Sequence, residues 1–280
     1  LLIQKSIGYI SFIRGVNPYS FPYKIWPFQF DSEKSIKNIE YPQKQLNEKE
    51  ISIGIEHLDI YTIKIGEQQE TAYNYIIKNM KDKFDEKGME MGLGYQTLEG
   101  PLQALNIVFP IDKFENPRLL FGKNGLDRIM NYDESIKKNF SYKPAILKKY
   151  GRIFSQEHIH KYSNKISTIC KAIKKSKGIV LIYSQYINGG CLPLALALEE
   201  MGFTRHGGKS QSLFKTPPEI KTPFKYIMIT GDINLSPKNS EEINFATNED
   251  NINGEKIKVI IISKAGSEGL DFKNIRQIHI

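Results

Sequence analysis

Lys258-Val259-Ile260-Ile261-Ile262-Ser263-Lys264-Ala265-Gly266-Ser267-Glu268-Gly269-Leu270-Asp271-Phe272 is the stretch whose reading decides the fold. Its first part is an unbroken β-branched run, the pattern of a strand buried on both faces. The second part breaks into a loop with glycines at 266 and 269 and a carboxylate at 271. Glycines there let the backbone approach a phosphate or a neighbouring domain closely. In open α/β sheets such loops lie at the carboxyl ends of the strands, where ligands bind. The same spacing also suits an ordinary strand-to-helix turn.

Working outward, the preceding hundred residues alternate in the same style. Ile166, Ile169, Cys170 and Ile173 predict the buried face of a helix whose other face carries Lys165, Lys171, Lys174 and Lys175, with Gly178 as its stop. Ile179–Tyr183 follows as a strand and ends in Ser184-Gln185. Gly189-Gly190 opens a second helix over 192–201, closed by Gly202. Tyr226–Ile229 and Ile275–Ile280 read as further strands. Strands alternating with helices imply βαβ units and a parallel sheet with helices on both faces. The fold class is therefore α/β. Three strand ends carry polar tips, namely Ser184-Gln185, Thr230-Gly231-Asp232, and Ser263 to Asp271. Parallel geometry puts them on one edge, which makes that edge the candidate site.

Ser-Lys-Ala-Gly-Ser-Glu-Gly-Leu-Asp, followed by Asn274-Ile275-Arg276-Gln277-Ile278-His279-Ile280, resembles motif V of superfamily-two helicases and its next strand. The likeness is to the helicase-like ATPases of large nucleocytoplasmic DNA viruses, related to the poxvirus early transcription factor and the Swi/Snf group. It covers nearly the whole chain and is strongest from Gly178 onward. Leu-Ile-Tyr-Ser-Gln-Tyr at 181–186 looks like motif IV, and Ile-Thr-Gly-Asp at 229–232 looks like the segment that touches the nucleic-acid backbone. The resemblance implies a RecA-like sheet preceded by an irregular α+β insertion. It implies ATP-cleft coupling by Gly269 and Asp271, cofactor binding by Gly266, Gly269 and Asp271, and backbone contacts from Ser184, Gln185, Thr230, Gly231, Asp232, Ser263, Lys264 and Ala265. ATP and Mg2+ are the implied cofactors of the intact enzyme. Nucleic acid, a first RecA-like domain of the same chain and viral transcription machinery are the implied partners, in host cytoplasm or virion.

Toward the amino end the signals are sparser. Arg14 to Phe28 interleaves aromatics with prolines and cations, a segment that either stacks bases or packs its rings onto a domain. Its Gly-Tyr-Ile-Ser-Phe-Ile-Arg-Gly-x-Asn-Pro-x-x-Phe-Pro pattern resembles the segment after the first RecA-like domain. Residues 31–56 are polar and read as a surface connection, His57 to Ile65 suggests a strand, and Tyr73, Ile76, Ile77, Met80 and Phe84 mark one helical face ended by Gly88. Gln69 followed by Tyr73 is similar to the Swi/Snf entry into the second half. Turn formers at Gly92, Gly94, Gly100-Pro101, Asn116-Pro117, Gly122 and Asn124-Gly125 predict irregular structure with short helices. Basic residues then accumulate from Lys137 to Arg152, as a solvated face or a nucleic-acid contact. The expected division is 1–56, 57–154 and 155–280, the last a RecA-like domain ending before motif VI.

Composition bounds the alternatives. With 39 Lys and Arg against 31 Asp and Glu the chain carries +8, basic enough to attract polyanions. Two cysteines, Cys170 and Cys191, in apolar surroundings make neither a disulfide framework nor a metal set, which points to a reducing compartment. The longest apolar runs are too short to span a bilayer, so no membrane role is expected. A start at Leu1 and a stop within a strand suggest a piece of a longer protein. No Gly-x-x-x-x-Gly-Lys-Ser/Thr loop and no Walker B Asp-Glu pair occur, so this chain alone is expected neither to bind ATP tightly nor to turn it over. Arg276 does not match the family's motif VI arginine. The contrasting reading is a non-catalytic α/β module that binds nucleic acid or a protein partner.

Overall fold

The computed structural model describes residues 25–39, 41–45, 48–54, 58–86, 95–136, 138–207, 212–237, 239–264 and 270–280. The chain divides into two compact units, Leu1–Thr62 and Ile63–Ile280.

In the first unit a single helical turn, Pro27–Phe30, and two 3-10 turns surround Asp59. The carboxylate of Asp59 accepts from the Phe28 amide at 2.9 Å and the Ser35 hydroxyl at 2.7 Å. Of the strand expected from His57 to Ile65, His57 lies outside the described residues and residues 58–65 form no strand, with an isolated bridge joining Tyr61 to Ser35. Leu58 is 50% exposed there, so its alternation has no sheet to face. Of the aromatic stretch, residues 14–24 lie outside the described residues, while Phe28 is exposed beneath the Lys37 ammonium.

The second unit is built on five parallel strands in the order β4-β5-β6-β3-β7. These are β3 (Ile179–Tyr183), β4 (Thr204–Arg205), β5 (Lys225–Ile229), β6 (Val259–Ile262) and β7 (Ile275–His279); β1 (Met130–Asp133) and β2 (Lys138–Tyr142) make a separate antiparallel pair. β6 is buried at every position, as its unbroken β-branched run requires. Alternate strand residues feed two cores. Val180, Ile182, Tyr226, Met228, Val259 and Ile261 face one, while Ile179, Ile227, Ile229, Ile260 and Ile262 face the other.

Helices cover both faces. On the first face, α5 (Asn164–Lys175) contributes Ile166, Ile169, Cys170 and Ile173, the stripe its spacing predicts, and α6 (Leu192–Glu200) is buried throughout. On the second face α7 (Asn239–Ala246) supplies Ile243 and Ala246. α5 stops at Lys175 with Ser176 as its cap, so Gly178 does not end the helix as expected; at φ +76° it turns the chain into β3. Both cysteines are free, and burial pushes their thiols up to about 12.

Residues 95–154 are more regular than their turn formers suggest. α2 (Tyr95–Asn106) runs straight through Gly100-Pro101, and α3 (Gly122–Ile129) includes Asn124-Gly125. Packing overrides turn chemistry at both places. A Cβ on Gly100 would meet Phe121 Cζ at 3.0 Å, and one on Gly125 would meet Phe109 Cδ2 at 2.3 Å, so these glycines admit rings rather than make turns. Ile107, Phe109, Leu126, Ile129 and Phe140 join the first core of the sheet. α1 (Glu67–Glu86) forms as expected, though Gly88 lies outside the described residues. Gln69 is fully buried, its amide donating to the Ala104 carbonyl at 2.9 Å, so the glutamine fastens α1 to α2. Within the basic run, Lys149 pairs with Asp112 and Arg152 with Glu200. α4 (Pro144–Tyr150) carries the first of these.

One buried acid breaks the usual rule of satisfied polar groups. Glu242 on α7 is 2% exposed and, among the described residues, neither of its oxygens completes a hydrogen bond. Burial pushes its carboxyl up to about 7, with the nearby Arg205 guanidinium pulling the other way and Glu241 adding to the rise. Because the folded value lies above the ordinary 4.5, this group's contribution to stability is full below pH 4.5 and is lost as pH rises through about 7. Glu242→Gln should therefore match the parent at pH 4.5 and exceed it by about 1–3 kcal/mol at pH 8, the range reflecting solvent screening. Urea unfolding at the two pH values checks this, and equal stability at pH 8 would refute it.

Candidate functional site

The three polar tips stand side by side. Tyr183 pairs with Ile262, and Ile262 with Ile229, so β3, β6 and β5 end level. Two hydrogen bonds continue that register past the strands: the Ser184 amide donates to the Ile262 carbonyl and the Ser263 amide to the Ile229 carbonyl, each at 3.0 Å. At the ordinary interstrand spacing Ser184, Ser263 and Thr230 span roughly 10 Å of one edge.

Each tip meets that edge differently. Thr230 is 2% exposed and its hydroxyl lies 2.7 Å from Ser236 Oγ, while its amide donates to the same serine at 2.8 Å. Its side chain therefore shapes the loop, and Gly231 and Asp232 present the outer surface. Asp232 closes an Asx turn by accepting from the Asn234 amide at 3.0 Å. A cleft of about 510 Å³ opens beside this loop, lined by Thr230, Gly231, Ile233, Ser236, Asn239 and Glu241. Ser236 and Asn239 were not foreseen, since a serine seven residues past a strand end carries no signal of its own.

Ser184 turns back on its own loop, accepting from the Tyr186 amide at 3.4 Å, and Gln185 is half-buried beside it. The Gly189-Gly190 loop is a π turn, Ile187–Cys191, in which the Cys191 amide donates to the Tyr186 carbonyl at 2.9 Å. Such turns recur at functional sites. A Cβ on Gly190 would fall 2.0 Å from Ser184 Oγ, and one on Gly189 would fall 2.6 Å from Gln103 Oε1. Close approach of Ser184 leaves no room for a side chain at Gly190, while Gly189 is met by the end of Gln103, a residue of α2 that no local signal connects to this loop.

Ser263 is 2% exposed and its hydroxyl has no hydrogen-bond partner among the described residues. Leaving a buried hydroxyl unmet costs about 1–3 kcal/mol. Lys264 follows, exposed at the tip. Ala265, Gly266 and Gly269 lie outside the described residues. Asp271 reappears exposed between Leu270 and Phe272, which pack on the second face of the sheet, and it makes no hydrogen bond or ion pair among the described residues. It is not brought into contact with the other tips.

The described edge offers one cation, Lys264, and among the described residues no group of carboxylates or imidazoles that would hold a metal. That donor set does not by itself fit a magnesium triphosphate. It suits contacts to a polyanion backbone at a surface. Among the described residues no helix is long and apolar enough to cross a membrane.

The fold is a RecA-like α/β arrangement, with the candidate edge at the carboxyl ends of its strands. No family model matches the chain. Its relatives are helicase-named and termination-factor-named proteins of large DNA viruses. The chain is 32% identical over 143 residues to a "Termination factor NPH-I homolog" of African swine fever virus (isolate Tick/Malawi/Lil 20-1/1983), a match covering 42% of this chain and 20% of that protein. It is 24% identical over 275 residues to the "Putative ATP-dependent RNA helicase R563" of Acanthamoeba polyphaga mimivirus, 98% of this chain and 36% of that protein. A second mimivirus protein, "Putative ATP-dependent RNA helicase L538", is 31% identical over 118 residues. The chain thus spans between a fifth and about a third of the curated relatives it matches.

Proposed function

We propose that residues 155–280 are the second RecA-like lobe of an ATP-dependent nucleic-acid helicase or translocase of a large DNA virus, acting in transcription. Residues 1–56 would follow the first lobe, and 57–154 would be an insertion leading into the second. The observation that carries this reading is the level alignment of three polar strand ends, one of them bearing the motif V-like string. The relatives' names support the activity.

In this account Ser184, Gln185, Thr230, Gly231, Asp232, Ser263, Lys264 and Ala265 form the surface toward the nucleic-acid backbone. Gly266, Gly269 and Asp271 face a nucleotide cleft completed by the first lobe. ATP with Mg2+, when bound there, supplies the phosphoryl chemistry that opens and closes the cleft. The residues of this chain hold the strand while the other lobe resets, so that closure becomes movement. The setting would be host cytoplasm or virion, with viral transcription machinery as partner.

The chain alone should then hold a fluorescein-labelled single strand weakly, with little sequence preference and with log K falling linearly against log salt. It should show no tight ATP binding and no turnover. Anisotropy across a salt series and nucleotide calorimetry test both statements. Salt-insensitive or sequence-selective binding, or micromolar ATP affinity with turnover, would overturn the assignment.

A further inference from the structure

Parallel strands that end together also begin together, and the opposite edge of this sheet collects positive charge. Lys225 opens β5, Lys258 immediately precedes β6, Lys177 lies two residues before β3, and Lys273 and Arg276 flank the start of β7. Lys175 ends α5 at the same edge. Backbone bonds make the juxtaposition concrete: the Lys258 amide donates to the Lys225 carbonyl, and the Val180 amide to the Lys258 carbonyl, each at 2.9 Å. Arg276 lies across Gly178, where an added Cβ would fall 2.3 Å from its Cγ.

Several basic groups of the chain are neutralised within it, and these six cations are not among them. Lys123, Lys149, Arg152 and Lys256 each have a carboxylate partner. Among the described residues none of the six does. Five are exposed. Lys258 is 6% exposed; its ammonium donates to the Ser176 carbonyl at 2.7 Å and lies 6.0 Å over the Phe224 ring, and burial holds its pKa below the ordinary lysine value. A buried ammonium faced by a carbonyl and a ring but by no carboxylate still gains from a counter-charge supplied from outside the chain. The acids at this edge supply none: Asp250 is taken by Lys256, and Glu249 and Glu255 are exposed without reaching the six.

We propose that this amino edge is a second, sequence-independent surface for the phosphate backbone of a nucleic-acid duplex, on the side of the sheet opposite the candidate site. Four strand starts, one interstrand spacing apart, make a comb of single positive charges about 15 Å long. A duplex presents a phosphate charge for about every 1.7 Å of its axis, so such a comb faces several phosphates at once. Single lysines along a flat edge, without a pocket or a bidentate fork, recognise charge and spacing rather than bases. The inference takes only its partner class from the proposed function, because the geometry lies on residues that function does not use.

The test is anisotropy of a labelled 20-base-pair duplex against the parent chain, a Lys177→Ala/Lys225→Ala/Arg276→Ala variant, and Lys264→Ala. The triple variant should melt within a few degrees of the parent and reduce the slope of log K against log salt by about 2.7, three contacts at about 0.9 each. Replacing Lys177 and Lys225 with arginine should keep the parental slope. Lys264→Ala tests the carboxyl edge separately: a slope that falls only in the triple variant supports the amino edge and counts against the carboxyl-edge reading. Parental affinity and slope in the triple variant would overturn the proposal. So would equal binding of polyglutamate or of phosphatidylserine vesicles with the same loss in the variant, which would make the partner an acidic protein or a membrane.

Discussion

Replacing Glu199 with alanine is expected to lower unfolding stability by about 4 kcal/mol, the largest single effect anticipated in this chain. The carboxylate is 2% exposed on α6 and accepts from the Leu213 amide at 2.7 Å, the Phe214 amide at 3.1 Å, Ser212 Oγ at 2.5 Å and the Tyr226 hydroxyl at 2.7 Å. Burial pushes its pKa up, and those four donors pull the other way. Each buried donor left without an acceptor costs about 1–3 kcal/mol, and the neighbours relax to recover part of the total. The consequence reaches beyond the helix. Phe140 of β2 donates to the Leu213 carbonyl and accepts from the Lys215 amide, so the loop that Glu199 holds also fastens the β1-β2 hairpin to the sheet. Glu199→Gln keeps an acceptor but turns an amide toward donors, and should cost about half as much. Urea denaturation of the three proteins measures this. A loss below about 1 kcal/mol in Glu199→Ala would show that the carboxylate is not the clamp.

That clamp illustrates what the sequence concealed. Strands 179–183, 225–229 and 259–262 were legible because a strand buried on both faces needs an apolar run, and few other structures tolerate one; 275–279, with exposed Arg276 and Ile278, followed from its place after the motif V-like loop. The helix at 164–175 was legible for a similar reason, its apolar stripe having one period. Failures came where tertiary partners override local preference. Alternation at 57–65 met no neighbouring strand, and Gly100 and Gly125 served ring packing instead of turns. Of the candidate edge, the positions of Ser184, Thr230 and Ser263 followed from parallel geometry. Their side chains did not: that Thr230 turns inward to Ser236, or that Gln103 reaches Gly189, depends on contacts no local pattern encodes.

The second large effect concerns Asp271, where the proposed coupling and a merely structural role diverge. A carboxylate repels phosphates, so an exposed Asp271 is ill suited to touch a nucleic-acid backbone, and it caps nothing among the described residues. With a first lobe present, Asp271→Ala is expected to lower strand-stimulated ATP hydrolysis roughly 10- to 100-fold, about 1.4–2.7 kcal/mol, while strand affinity changes little. Lys264→Ala is expected to do the reverse, weakening strand binding and reducing its salt slope by about 0.7, since a cation beside a single-strand backbone contributes one released counterion. Thermal melts of both variants ensure that each remains folded.

The stimulated hydrolysis rate of Asp271→Ala, measured at saturating single strand in the full-length protein, therefore tests the central claim most directly. The account requires that rate to collapse toward the basal one while the strand remains bound. A stably folded Asp271→Ala protein with parental stimulation would contradict it.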